Sequence, residues 1–199
     1  MEIDYLSNML SASSAAIVAL KIFGLWLVAD FITGVVHWFQ DTYGNPNWPI
    51  LGKYLVAPNL IHHKTPRHML QGSYIYRVGS SIVAACIIAP ALWLLGWHSW
   101  EMVVCLLMAS QANEVHAMAH RTKKENGKIV AFLQKLGIFQ RRKSHGWHHE
   151  APYDTNFCVM TEFLNPVLNT IRFWYWTEWF LLKLFRIKVL RGAAVRGGI

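Results

Sequence analysis

Residues 13–39 read SSAAIVALKIFGLWLVADFITGVVHWF, with Lys21 and Asp30 as the only fully charged side chains. A run of this length exceeds the roughly 20 residues an α-helix needs to cross a bilayer. It is too long for a cleaved signal peptide, carries Asp30 too deep, and has no evident small-residue cleavage site, so it is expected to stay in the mature protein. Two further runs have the same character. Residues 73–97 read SYIYRVGSSIVAACIIAPALWLLGW, and a third run from Trp100 to His120 follows a short turn at His98 and Ser99. The sequence predicts an all-α membrane protein with three transmembrane helices, a fourth candidate, and interfacial amphipathic helices.

Composition supports this reading. Hydrophobic residues make up 54% of the 199 residues and charged residues 15%, with ten Trp, ten Phe and seven Tyr. Such a chain places apolar surface against lipid as well as inside a core. Length predicts a single domain over 1–199, with the motif-bearing core over about 25–170 and a basic tail over 186–199.

The formal net charge of +8 raises the question of nucleic acid, and the distribution of charge answers it. Lys53, Lys64 and Arg67 lie between the first two runs; Arg121, Lys123, Lys124, Lys128, Lys135, Arg141, Arg142 and Lys143 follow the third. The segment before the first run has only Glu2 and Asp4. By the positive-inside rule both long loops are cytoplasmic, and anionic lipid headgroups account for the basicity with no nucleic-acid partner.

Asn165 to Phe185 is the fourth candidate, interrupted by Arg172, Glu178 and Lys183. If it crossed, the basic tail would lie outside, and its cluster of Trp174, Tyr175, Trp176 and Trp179 suits a helix lying in the interface. Asn126 to Phe139, apolar at Ile129, Phe132, Leu133 and Leu136, is expected to be a second interfacial helix. Cys86, Cys105 and Cys158 form no CxxC pair and read as buried reduced thiols.

On this topology eight histidines collect at one membrane face. His37 closes the first run, His62 and His63 fall in the first loop, His116 and His120 end the third run, and His145, His148 and His149 lie in SHGWHHEAP. His116 and His120 are four apart and share a helix face, as do His37 and Asp41. Polar groups at this depth face a bundle interior or a functional site. One such histidine would read as an ordinary polar residue; eight in the pattern H, HH, HxxxH, HxxHH point to metal. HAMAH lacks the glutamate of HExxH, and eight nitrogens divide into two first-row ions with about four each. Imidazole alone does not choose among iron, copper, nickel and zinc, but a membrane setting and hydrocarbon substrates favour iron that activates oxygen. Asp30, Asn113, Glu114, Glu150 and Asn156, with Asp41, are candidates to orient the imidazoles from behind. His68 and His98 stand outside the set, as surface residues.

The motifs GVVHWFQDTYG, PNLIHHKTPRHM, QANEVHAMAH and HGWHHEAPYDTNFCVMTEFLN resemble the lipid-desaturase domain shared by animal plasmanylethanolamine desaturase, the Kua proteins, their bacterial relatives and a plant chloroplast phosphatidylglycerol desaturase. The resemblance implies that His37, His62, His63, His116, His120, His145, His148 and His149 hold two non-haem irons, with Asp41 required beside them for catalysis. It implies dioxygen-dependent desaturation of a phospholipid, most directly an ether phospholipid whose alkyl chain becomes a vinyl ether. An acyl chain desaturated near its carboxyl end is the alternative. Any additional leading span of other members is expected to be missing here.

The ends of the first and third runs place such chemistry near the headgroup, where Lys64, Arg67, Arg121 and Lys123 could hold the phosphate. The sequence has no GxGxxG fingerprint, so electrons are expected from a small acidic carrier of the cytochrome b5 or ferredoxin type docking on the basic loop. A bacterial inner membrane and an endoplasmic reticulum membrane would look alike, with the short chain leaning towards bacterial. Two other classes fit less well: a haem cytochrome, which adjacent His-His pairs suit poorly, and a metal transporter, for which no polar path crosses the runs.

Overall fold

The computed structural model describes residues 2–191, with side chains described from Ser14 onward. All regular structure among these residues is helical. The nine α-helices are α1 (Glu2–Tyr43), α2 (Ala57–Lys64), α3 (Tyr74–Leu94), α4 (Trp100–Ser110), α5 (Ala112–His120), α6 (Lys123–Lys135), α7 (Arg142–His148), α8 (Leu164–Thr170) and α9 (Phe173–Phe185). A π-helical turn, Gly52–Val56, precedes α2 and a 3-10 turn, His68–Gln71, follows it.

Two of the three predicted spans are single helices long and apolar enough to cross a membrane: the part of α1 over Ser14–Tyr43, and α3. Their outer faces leave large apolar side chains exposed, among them Leu20, Ile32, Ile75, Ile87 and Leu94. That is the surface a bilayer would cover. Sequence chemistry sets the ends. Ser73 Oγ caps α3 by accepting from Tyr76 N at 3.2 Å, and Ser99 Oγ does the same for α4 from Met102 N at 3.2 Å.

The third predicted span differs. It is broken at Gln111 into α4, of 11 residues, and α5, of nine. The Gln111 N–H closes a tight turn onto Met108 O at 3.0 Å, while its side chain accepts from Tyr74 Oη. The stretch QANE puts polar groups where a continuous span would need apolar ones, and the break lets α5 turn its histidine face inward. The former fourth candidate is likewise two helices, α8 and α9, of seven and 13 residues, parted at Arg172 in the left-handed region at φ 53°. Neither has the length to cross a bilayer.

The segment expected to be interfacial over 126–139 is entered through a capped turn that starts at Lys123, where Thr122 and Glu125 form a capping box, and a kink at Gly127 (φ 73°) parts that turn from the helix that follows. Ile129, Phe132 and Leu136 are exposed on it. Of the cysteines only Cys158 is buried; Cys86 is exposed on the outer face of α3 and Cys105 is half-buried. The tail over 186–199 is described as far as Arg191, and its remainder lies outside the described residues.

Packing explains where the histidines go. α4 lies against both α1 and α3, and α5 packs on α3 and α7. The segment Phe157–Thr161 lies along α1, all of it buried. This approach needs Gly34: a Cβ there would fall 2.6 Å from Cys158 Sγ and 3.1 Å from Cys158 Cα. Buried Asp30 fixes the same segment, accepting from Met160 N at 2.9 Å, Thr161 N at 3.0 Å and Thr161 Oγ1 at 2.7 Å. Charge-assisted bonds to backbone N–H groups are the strong kind, so Asp30 acts as a staple between a helix and a loop remote in sequence.

Candidate metal centre

The eight histidines converge on one buried locus, in two groups. His62, His116, His120, His145 and His149 form the first; His37, His63 and His148 with Asp41 form the second, and within each group one ligand atom per residue lies within 4.8 Å of the others. The expected division into two sets of four therefore becomes five histidines beside three histidines and a carboxylate.

In the first group the Nε2 atoms face one another: His116 to His145 at 2.8 Å, His145 to His149 at 3.0 Å, His62 to His120 at 3.2 Å and His116 to His120 at 3.3 Å. Imidazole nitrogens bound at about 2.0–2.1 Å to one ion stand roughly 3 Å apart when adjacent in its coordination sphere. A hydrogen-bond network explains the arrangement less well. Each shared contact needs one donor and one acceptor, while the Nδ1 atoms of His145 and His149 are buried with no partner among the described residues. Burial first, then the neighbouring imidazoles, hold His62 and His145 well below the ordinary histidine range and push His149 down to about 2. Neutral imidazole is the form that binds metal.

The second group is built around Asp41. Its Oδ1 stands 3.0 Å from His63 Nε2, and its Oδ2 stands 3.2 Å from His148 Nε2 and 3.4 Å from His37 Nε2. Asn59 donates to Oδ1 through Nδ2. Asp41 Oδ2, His37 Nε2 and His148 Nε2 are all buried without a hydrogen-bond partner among the described residues, although they stand close to one another. Buried polar atoms are rarely left so, and a cation among them would satisfy all three.

Backbone carbonyls orient the rings. His37 Nδ1 donates to Phe157 O at 3.1 Å, His62 Nδ1 to Pro66 O at 3.1 Å and His148 Nδ1 to Thr155 O at 2.8 Å. Placing the proton on Nδ1 frees Nε2 to bind metal, the arrangement that metal-ligating histidines use. The residues present thus fit two cations, held by His62, His116, His120, His145 and His149 and by His37, Asp41, His63 and His148.

The candidate supporting residues are spread more widely than expected. Asp30 holds Met160 and Thr161 and hydrogen-bonds no imidazole. Asn113 donates to Arg77 O at 3.0 Å and Ser81 Oγ at 3.2 Å. Glu114 pairs with Arg77 and, at 2.8 Å, with Arg121. Asn156 donates to Ser144 O at 2.8 Å and accepts from Asn169 at 2.7 Å, tying the loop after α7 to α7 itself and to α8. Glu150 is exposed. The supporting contacts come instead from Asn59, Pro66, Thr155 and Phe157. Asn59 was findable, since it lies three and four residues before His62 and His63 on α2; the carbonyls were not, because every residue carries one. His68 and His98 are exposed and outside both groups.

Of the four candidate headgroup cations, Arg67 and Arg121 line an open cleft with Leu70, Gln71 and Glu125. Arg67 donates to His120 O at 3.0 Å and pairs with Glu125 at 2.7 Å. Lys64 and Lys123 are exposed.

A second, mostly apolar cavity of about 270 Å³ runs between α1, α3 and α4 from Ile88 and Leu106 to His37, His62 and His116. It therefore reaches both groups at once. The profile of the lipid desaturase domain matches residues 26–190, most of the chain. The chain belongs to the lipid desaturase domain family. Its relatives include a probable fatty acid desaturase of Acanthamoeba polyphaga mimivirus, 31% identical over 82% of this chain and 82% of the viral protein. Plasmanylethanolamine desaturase 1 of Mus musculus is 33% identical over 74% of this chain and 59% of the mouse protein. The chloroplastic fatty acid desaturase 4-like 1 of Arabidopsis thaliana is 36% identical over 76% of this chain and 52% of the plant protein. The chain thus spans about half to three-fifths of the mouse and plant relatives. No solved structure matches it. Membership of this lipid desaturase family implies an oxidoreductase, and with two apolar helices it makes the chain a membrane protein.

Proposed function

We propose that the chain is a dioxygen-dependent lipid desaturase using two non-haem irons, and that its substrate is an ether phospholipid whose alkyl chain is converted to a vinyl ether. The cavity carries this reading: one apolar slot, open among membrane helices, ends on His37 of the Asp41 group and on His62 and His116 of the five-histidine group. Bound iron would supply activation of dioxygen, which is reduced to water as two hydrogens leave adjacent carbons and two further electrons come from a donor.

The chain's own residues do the rest. The apolar walls hold an extended hydrocarbon and exclude water, and Gln40, Asn59, Ser81 and Asn113 are among the polar groups lining the slot. Nδ1 donation to Phe157, Pro66 and Thr155 fixes the rings of His37, His62 and His148, of which His37 and His62 line the slot. His37 lies near the end of α1 and His120 ends α5, so the carbons presented are those next to the glycerol, with Lys64, Arg67, Arg121 and Lys123 around the phosphate. On the positive-inside rule this face is cytoplasmic. An acidic carrier such as cytochrome b5 or a ferredoxin would dock where Arg141, Arg142, Lys143 and Trp147 are exposed around α7. The relatives named plasmanylethanolamine desaturase support the ether substrate; those named fatty acid desaturase support the alternative, an acyl chain attacked near its carboxyl end.

Expression in cells that make alkyl ether phospholipids but no plasmalogens tests the reading. The expected product is a lipid that releases a long-chain aldehyde in acid, absent with His120→Ala. A new acyl double bond with unchanged ether lipids would move the assignment to the alternative, and no lipid change in a reduced, iron-loaded preparation would overturn both.

A further inference from the structure

The basic tail has no part in the reading above, yet its last described residue is half of a buried ion pair against the metal centre. After Arg186, left-handed at φ 56°, the chain folds back, and Leu190 N donates to Thr42 O at 2.8 Å. Arg191 donates through Nη2 to Thr42 Oγ1 at 2.8 Å and pairs with Glu178, with only 10% of its side chain exposed. Its guanidinium carbon lies 5.6 Å from the centre of the Phe157 ring. Glu178 in turn accepts from Trp38 Nε1 at 2.9 Å.

Each of these partners is one step from the Asp41 group. Thr42 follows Asp41, Trp38 follows His37, and Phe157 accepts the His37 Nδ1–H while its ring edge meets His148, centroids 5.2 Å apart. None adjoins the five-histidine group in this way. A buried arginine–carboxylate pair is a poor source of stability compared with apolar packing, so its presence here calls for a role in fixing geometry. The guanidinium suits that role because its Nη2 reaches both a hydroxyl and a carboxylate while the planar group lies against an aromatic ring.

We propose that Arg191 is a positioning residue: the returning segment over 186–191 clamps the end of α1 and the Phe157 loop, and so sets the Asp41 group while leaving the five-histidine group untouched. This rests on the two-iron reading above.

The test is iron content and iron-binding isotherms of the full-length chain in detergent for wild type, Arg191→Met, Arg191→Lys and Thr42→Val. Wild type is expected to hold about two irons; Arg191→Met about one, with the tighter or looser phase of the isotherm lost; Arg191→Lys an intermediate amount. Thr42→Val removes only the hydroxyl acceptor and should weaken the same phase, so it decides the matter if Arg191→Met fails to fold. Two irons with an unchanged isotherm in Arg191→Met, or in Thr42→Val where Arg191→Met is unfolded, would overturn the clamp alone. Equal loss from both phases would overturn it too, since that is a general loss of fold. A wild-type chain that binds fewer than two irons would overturn the two-iron reading and the clamp with it.

Discussion

The two halves of the metal centre are built differently. The five-histidine group draws on the short helices α2, α5 and α7 and offers only neutral nitrogen; the Asp41 group draws on the end of the long α1, on α2 and on α7, and adds one carboxylate. A cation in the first keeps its whole charge, whereas Asp41 neutralises part of the charge in the second. The difference teaches that cations held by the two groups would not be equivalent, and that the carboxylate-bearing half is the one tied into the rest of the fold through Asn59, Phe157 and Thr42.

Removing ligands from one half is the strongest way to break the comparison. His116→Ala with His120→Ala should abolish desaturation, by well over the 100-fold that loss of a supporting contact brings, and remove the five-histidine iron. Elemental analysis should still find iron in the Asp41 half; loss of all metal would show that the halves are one site. Asp41→Asn comes next. It keeps the shape and removes the charge, so turnover should fall at least about 100-fold while the five-histidine iron stays. Asn59→Ala, which deletes only the donor to Asp41, should weaken iron binding in that half by about 10-fold to 100-fold.

Acidification should act mainly on the nitrogen-only half. His62, His145 and His149 take up protons in the unfolded chain near pH 6.5 and in the folded chain only far below it. The unfolded state therefore binds more protons, and the stability of metal-free protein should fall as pH drops through about 6.5. A thermal midpoint for stripped protein that does not change between pH 7.5 and 5.5 would contradict this. Smallest is the effect of Thr122→Ala, which removes the cap of α6 two residues beyond His120 but takes away no ligand atom. It should cost about 1 kcal/mol of stability and leave iron content alone.

Much of this was legible in the sequence, for reasons tied to helix geometry. His116 with His120, His37 with Asp41, and His145 with His149 are each four residues apart, and each pair falls in one group. Adjacent residues point about 100° apart on a helix, so His62 and His63 divide between the groups, as do His148 and His149. Dividing the nitrogens into about four for each ion did not say which histidine joins which group, because it counted ligands without following their directions. The break at Gln111 was less visible, since α4 and α5 together have the length and apolarity of one span. Phe157 and Arg191 carried no signal: their roles depend on Gly34 admitting a remote loop and on a turn at Arg186, both tertiary facts.

The measurement closest to the central claim is the metal content of gently purified full-length protein, compared with the Asp41→Asn and the His116→Ala, His120→Ala variants. The account predicts about two irons per chain in wild type and about one in each variant. Zinc as the only bound metal, a haem spectrum, or a single iron lost equally in both variants would contradict it.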